Sequence, residues 1–301
     1  MTAAATLEST AWRRMLRHRL AWLSLAFLGV MLVLAVAAPL IADLRGIDPT
    51  ETDLFRRFEG PSARHWLGTD DLGRDLFQRL LDGGRVSLLV GISGAVLSAI
   101  LGAIIGVLAG YLGGRLDAFL MRLTDGVISL PLLPLLIVLA AVDPRKLGVP
   151  AEIAQSEMFS LYRIVVIVAL TGWTTVARLV RAETLSLKAR DFTRAAVALG
   201  ARPGRIMFRH ILPNTAGTLV VATTMSVGTL ILFESTLSFL GLGIQPPAAS
   251  WGNMLTGAQE LLQEAPVLAL WPGLLIFLTV IAFNFLGDGL QDALDPRSER
   301  R

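Results

Sequence analysis

The sequence predicts an all-α polytopic membrane protein with six transmembrane helices. Three observations carry this. First, 53% of the 301 residues are hydrophobic and the mean hydropathy is +0.62, an apolar load well above that of soluble domains. Second, the apolar residues gather in six runs, most of them close to the roughly 20 residues a helix needs to cross the hydrocarbon core. Third, the 27 basic residues, all arginine except Lys146 and Lys188, fall mostly in the segments that flank those runs. That placement suits membrane orientation, whereas nucleic-acid binding needs a single clustered basic face.

Residues 1–19 read as a cytoplasmic N-terminal segment carrying Arg13, Arg14, Arg17 and Arg19. Residues 20–301 read as one transmembrane domain. The first run, Leu20 to Ala42, has the basic lead of a signal peptide and a cleavable-looking Ala35-Val36-Ala37. Its apolar core exceeds the roughly 7–15 residues of a signal h-region, so it is expected to be retained as a span. The next segment, 43–85, is expected to hold an amphipathic helix. Between Asp71 and Gly84, Leu72, Leu76, Phe77, Leu80 and Leu81 share one helical face, and Arg74, Asp75, Gln78 and Arg79 take the other. Such a helix would lie along the membrane surface or over a pore mouth.

The second run, Val86 to Tyr111, contains Gly91, Gly94, Gly102, Gly106 and Gly110. The four-residue spacing of the last three puts small residues on one face, where another helix can approach closely, most simply within the same chain. The third run, Leu116 to Val142, begins among charges, with Arg122 between Asp117 and Asp125 at spacings that allow a local ion pair. The fourth, Leu161 to Val176, is short. The fifth, Asn214 to Leu242, carries Glu234 with no charged partner in its run, and the sixth is Pro266 to Gly287. A charge at mid-bilayer costs roughly 2.5–3.5 kcal/mol on insertion scales, so Asp125 and Glu234 are expected to face a translocation path or a partner chain.

Orientation follows from basic-residue placement. Residues 178–209 hold eight Lys/Arg against Glu183 and Asp191, whereas 243–265 hold none, with Glu260 and Glu264. Six crossings then put both termini and the 178–213 segment in the cytoplasm, and 43–85, 143–160 and 243–265 outside.

Within that basic segment, 191–214 (DFTRAAVALGARPGRIMFRHILPN) encodes a helical hairpin. Phe192 to Leu199 forms a short helix with small residues on one side, and Gly200 suits the left-handed position that ends it. Pro203 opens a second helix, where its missing N–H costs little. Pro213 is expected to stop that helix and Asn214 to cap the next. The small surface at Ala195-Ala196 would let the hairpin sit deep in a partner's groove, and the surrounding arginines would favour an acidic face or anionic lipid.

This stretch resembles the coupling loop of importer-type ABC permeases. The family pattern is Glu-Ala-Ala, three residues, Gly, nine residues, Ile, one residue, Leu-Pro. Here Ala195-Ala196, Gly200 and Leu212-Pro213 stand in register, while Arg194 replaces the Glu and His210 the Ile. Further segments are similar to the second-permease subunit of the dipeptide, oligopeptide and nickel importers. They are Leu67-Gly68-Thr69-Asp70 with Gly73-Arg74-Asp75, the stretch from Trp173 to Lys188, Leu237 to Gly243 with Gln245-Pro246-Pro247, and Gly287 to Arg297, in which Gln291 replaces a usual Arg.

The resemblance runs from about Arg13 to Arg297. It implies one half of a translocation path for short peptides in a bacterial plasma membrane. It also implies coupling through Arg194, Ala195, Ala196, Gly200, His210, Leu212 and Pro213, and gating or docking of an external protein at Thr69, Asp70, Gly73, Arg74 and Asp75. The implied partners are a second homologous permease, two ATP-binding subunits that hold ATP and Mg, and an extracytoplasmic substrate-binding protein. No cofactor and no metal are expected in this chain. A related importer of nickel or another small solute shares the same scaffold.

Other classes are excluded or disfavoured by the residues. The chain has no cysteine, so no disulfide, thiolate metal site or cysteine nucleophile. It lacks a Gly-x-x-x-x-Gly-Lys-Ser/Thr phosphate loop, so it does not itself use ATP in that way and reads as a transport subunit, not an enzyme. Gly91-Ile92-Ser93-Gly94 matches the serine motif of rhomboid-type proteases, but His18, His65 and His210 lie in loops or at run ends, leaving no membrane base. A proton-coupled carrier would have to use Asp125 or Glu234 and has no need of the hairpin.

Overall fold

The computed structural model describes residues 19–154, 156–256 and 263–294. Their main helices are α1 (Arg19–Arg45), α2 (Leu76–Leu112), α3 (Gly114–Ser129), α4 (Leu132–Ala141), α5 (Glu157–Lys188), α6 (Asp191–Ala198), α7 (Pro203–Ile206), α8 (Ala216–Phe239) and α9 (Val267–Leu294). Four spans stand alone: α1, α2, α5 and α9. A fifth runs without interruption from Pro203 to Phe239, and α3 with α4, bent by 89°, make the sixth when counted as one broken crossing. The all-α, six-crossing architecture agrees with the sequence.

Three boundaries differ from the sequence reading. Helix α2 starts at Leu76, not at Val86. Asp75 caps it by accepting from the Gln78 N–H at 2.7 Å, and Leu76, Leu80 and Leu81 are buried in the bundle. The stretch expected as a separate surface helix over 71–84 is therefore mostly the buried first turns of a span. Helix α5 extends past the apolar run at both ends, because Ser156 caps its start and the polar segment from Arg178 to Lys188 remains helical. The third run breaks at Leu130-Pro131, both in extended conformation. Proline disfavours the helical region for the residue before it, which ends α3 there.

Helices α2 and α5 form the most extensive contact in the molecule. The α2 face that meets α5 is Gly94, Ser98, Gly102, Gly106 and Gly110, one small residue per turn. A Cβ added at Gly102 would lie 2.6 Å from Val176 Cβ, at Gly106 2.6 Å from the Ala177 carbonyl oxygen, and at Gly110 2.8 Å from Thr184 Cβ. Across from Ser98 sits Gly172 of α5, and the Ser98 hydroxyl donates to the Ala169 carbonyl at 3.3 Å. In lipid, where apolar surface gains nothing by leaving its solvent, backbone contact of this closeness is what holds two helices together. The glycine stripe is thus an intrachain seam.

Helix α1 lies outside this pair, against α9 and α2. Its buried residues, Ala21, Ser24, Leu28, Met31, Ala35, Ala38 and Ala42, recur at three and four, a narrow stripe of mostly small side chains. Two cores result. One, at the hairpin end, joins Val107, Val176, Val180, Ile206, Met207 and Ile211. The larger, towards the opposite end, centres on Leu88, Ile164, Val168, Ile231, Leu237 and Trp251.

Gly106→Leu is expected to destabilise the solubilised protein by about 3 kcal/mol, since the side chain meets backbone that cannot yield. Gly29→Leu, on the open side of α1 with nothing within 4 Å, is expected to stay within about 0.5 kcal/mol. Thermal unfolding in detergent compares the two.

Candidate functional site

The hairpin follows directly from local chemistry. At the end of α6, the Gly200 N–H donates to the Val197 carbonyl and the Ala201 N–H to that of Ala196, at 2.9 and 3.0 Å. Gly200 takes φ +77°. This is the paired 5→2 and 6→1 bonding that closes a helix on a left-handed glycine. Ala196 and Ala201, the two residues such a motif brings together, both pack on the hairpin-end core. Pro203 begins α7 as expected.

Pro213 does not stop the chain. A proline ring clashes with the carbonyl four residues back. The preceding turn, Met207–Ile211, widens so that the Leu212 N–H reaches the Met207 carbonyl, and a tight turn over Leu212–Thr215 leads straight into α8. Asn214 does not cap α8; its amide donates back to the His210 carbonyl at 2.6 Å. The second arm of the hairpin and the span are therefore one continuous helical rod from Pro203 to Phe239, which α6 joins through the short turn at 199–202.

The Ala195-Ala196 pair divides. Thr193, buried and donating to the Leu187 carbonyl at 2.8 Å, and half-buried Ala196 hold α6 to the body. Arg194, Ala195, Ala198 and Leu199 share the outward face. Leu199 is 89% exposed and Phe208 69%. Around them stand exposed Arg190, Arg202, Arg205 and Arg209. Leu212 is half-buried, Pro213 exposed, and His210 half-buried. The surface is a small-residue strip with apolar projections, Leu199 and Phe208 the most exposed, and a basic rim.

The charges on α3 do not pair locally with Arg122. Asp117 takes a two-pronged contact from Arg181 of α5, at 2.5 and 2.6 Å. Asp125 meets Arg178 of α5 at 2.5 Å, a pair open to its surroundings at both side chains. Arg122 enters neither. Partners 53 and 64 residues distant were not readable from spacing within α3.

Glu234 is fully buried within the chain, which does not match the expectation of a path-lining or partner-facing residue. Its Oε1 accepts from Ser238 at 2.7 Å and its Oε2 from Ser87 of α2 at 3.0 Å. Ser87 in turn accepts from the Trp251 N–H, and Ser238 from the Ile244 N–H. The Trp251 indole donates to the Leu80 carbonyl at 3.0 Å, and the ring fits because Gly83 and Gly84 lack side chains. Glu234 thereby pins the 240–256 loop to α2. The sequence held one signal for it, Ser238 four residues on along the same helix.

The residues expected to gate or dock also turn inward. Asp75 is buried, accepts from both terminal nitrogens of Arg45 at 3.1 Å, and lies 3.0 Å from His65 Nδ1. Asp70 accepts from Arg74 at 2.8 Å and pairs with Arg79 at 3.2 Å. The Thr69 hydroxyl donates to the Arg56 carbonyl. Gly73, at φ +76°, packs against the Asp53 backbone where no Cβ fits. The five residues lace the loop between α1 and α2 into a plug.

Among the described residues, a bundle of membrane-length helices with a helical hairpin at the end of one span fits a multi-pass transport subunit. Comparison with known proteins agrees. Residues 102–300 match the family described as the inner membrane component of binding-protein-dependent transport systems, and residues 6–61 match the N-terminal transmembrane domain of oligopeptide transport permease C. The chain belongs to this family of binding-protein-dependent transport permeases.

It is 37% identical to the oligopeptide transport system permease protein OppC of Bacillus subtilis over 292 residues, covering 97% of this chain and 90% of the relative. It is 38% identical to the dipeptide transport system permease protein DppC of Alkalihalophilus pseudofirmus over 287 residues, covering 95% and 89%. It is 42% identical to the glutathione transport system permease protein GsiD of Salmonella typhimurium over 290 residues, again covering 95% and 89%. The C-terminal similarity noted at Gly287 to Arg297 extends three residues beyond the described helix α9, and the basic cluster at Arg13 to Arg17 also lies outside the described residues.

Glu234→Leu is expected to cost about 3 kcal/mol, because it strands the hydroxyls of Ser87 and Ser238. Glu234→Gln, which keeps one acceptor oxygen, should cost less than half of that. Thermal unfolding, with proteolysis of the 240–256 loop as a local probe, checks the order.

Proposed function

We propose that this chain is one permease of an ATP-driven importer of short peptides. A second homologous permease completes the path. Two ATP-binding subunits, which bind ATP and Mg, receive the hairpin, and an extracytoplasmic binding protein delivers cargo. The hairpin and both termini face the cytoplasm of a bacterial plasma membrane.

The observation that carries the reading is the continuity of the hairpin's second arm with the span. Force applied at Ala195 and Leu199 passes through the short glycine-closed turn at 199–202 into a helical rod that runs through the proline-widened turn to Phe239. A rigid connection of this kind transmits displacement, since packed elements move as bodies between discrete arrangements. Its small-residue strip admits close approach, and its arginines attract an acidic groove. Relatives named for oligopeptide, dipeptide and glutathione transport support peptide cargo.

In the resulting cycle, closure of the ATP-binding subunits swings the hairpins, and the spans exchange access from one membrane face to the other. Asp125 with Arg178, open to its surroundings on α3 and α5, is the charged pair placed to line that path. Glu234 acts as an internal brace, and Thr69, Asp70, Gly73, Arg74 and Asp75 hold up the outer loop on which a binding protein would rest.

Purification of this chain from its native membrane is expected to bring down a second permease and two ATP-binding subunits; recovery of the chain alone after gentle solubilisation would refute the assignment. Ala195→Trp, on the outward face, is expected to leave the complex in the membrane while lowering ATP-driven uptake at least roughly tenfold, the effect of losing about 1.4 kcal/mol of contact. Ala196→Trp is the poorer probe, because that residue packs inward.

A further inference from the structure

At the end of the bundle opposite the hairpin, a cavity of about 290 Å³ opens between the first turns of α2 and α5 and the loops that follow α1 and α8. Its charged lining comes from Arg79, Asp82 and Arg85 of α2 and Glu157 of α5, and Val86, Leu161 and Pro247 contribute apolar wall. The volume sits at the small end of the range for ligand pockets.

Asp82 is the unusual member. It is half-buried, yet its nearest donor is the Gln78 amide at 3.4 Å, long for a hydrogen bond. Arg79, one turn earlier, is committed to Asp70. Neither Arg85 nor Glu157 forms an ion pair among the described residues, and both are exposed. The other enclosed carboxylates of this end are satisfied: Asp75 by Arg45 and His65, Asp70 by Arg74 and Arg79, Glu234 by serine hydroxyls. A half-buried carboxylate held by one long amide contact, with Arg79 and Arg85 near it on the same helix, keeps acceptor capacity to spare. One that lines a cavity, with a second acid across it, is arranged for a cation that arrives from outside.

We infer that Asp82 and Glu157 form an ammonium-binding site at the mouth of the path, taking the free α-amino end of a short peptide. The apolar wall accommodates a neighbouring side chain, and Arg85, one turn beyond Asp82, supplies the complementary charge for a zwitterion. The identity of the ligand as cargo rests on the importer reading above; the ammonium site rests on the cavity.

This chain has no cysteine, so Met158→Cys, exposed on the cavity rim, gives it a single thiol, whose labelling is read on this chain within the transporter assembled in proteoliposomes. Trialanine at about ten times its Kd is expected to slow labelling by a membrane-impermeant maleimide about tenfold, and N-acetyl-trialanine is expected not to. Asp82→Asn should abolish the protection and Asp82→Glu retain it. Should Asp82→Asn fail to assemble, Glu157→Gln must weaken the protection instead. Equal protection by the acetylated peptide, or protection that survives Asp82→Asn, overturns the site. Leucinamide separates the two levels. Protection by leucinamide in a transporter that imports no peptide keeps the ammonium site and overturns the cargo. Peptide uptake without protection by either amine overturns the site and leaves the importer reading standing.

Discussion

The close approach of α2 and α5 is the constraint on which the rest of the structure depends. With Gly94, Gly102, Gly106 and Gly110 of α2 meeting α5 directly, the two long helices share a fixed register from the large core to the hairpin-end core. Helix α5 ends where the hairpin begins, and α8 packs against both α2 and α5. The position of Ala195 and Leu199 relative to the membrane is therefore set by glycines far earlier in the chain, between positions 94 and 110. In lipid this seam cannot be replaced by larger apolar side chains, because burial against another helix gains little over burial against acyl chains.

At the other end of the bundle the stabilising contacts are polar. Arg45, His65 and Asp75 tie α1 to the start of α2, Asp70 gathers Arg74 and Arg79, and Glu234 joins Ser87, Ser238 and the Trp251 loop. These networks share a purpose. Each fixes a loop that leaves and re-enters the bundle, where backbone groups lose their helical partners and need substitutes. With the carboxylates at their centres satisfied, such networks hold a geometry instead of weakening it. Asp82, half-buried and without an ion pair among the described residues, stands out against that background.

Much of the hairpin was readable in the sequence. Gly200 closing α6 and Pro203 opening α7 follow from φ preferences that hold in any context, and both were expected. The inward turn of Ala196 was not, since which side of a short helix faces the body depends on the core it meets. Pro213 shows the same limit. Its inability to donate a hydrogen bond is local and fixed, but whether a helix stops or widens around it is decided by what holds the two sides in line, here Ile206, Met207 and Ile211 in the hairpin-end core.

The sequence by itself determined the all-α membrane architecture, the six apolar segments, the hairpin and its glycine turn, and the family resemblance. Each depends on composition, period or short motifs, which are properties of neighbours along the chain. Only the tertiary structure decided that α2 begins at Leu76, that Asp117 and Asp125 pair with Arg181 and Arg178 rather than Arg122, that Glu234 is an internal brace, and that the residues from Thr69 to Asp75 face inward. Most of those outcomes depend on partners distant along the chain, up to 147 residues away. A charge or hydroxyl reads the same in one dimension whether its complement lies on the next turn or across the bundle.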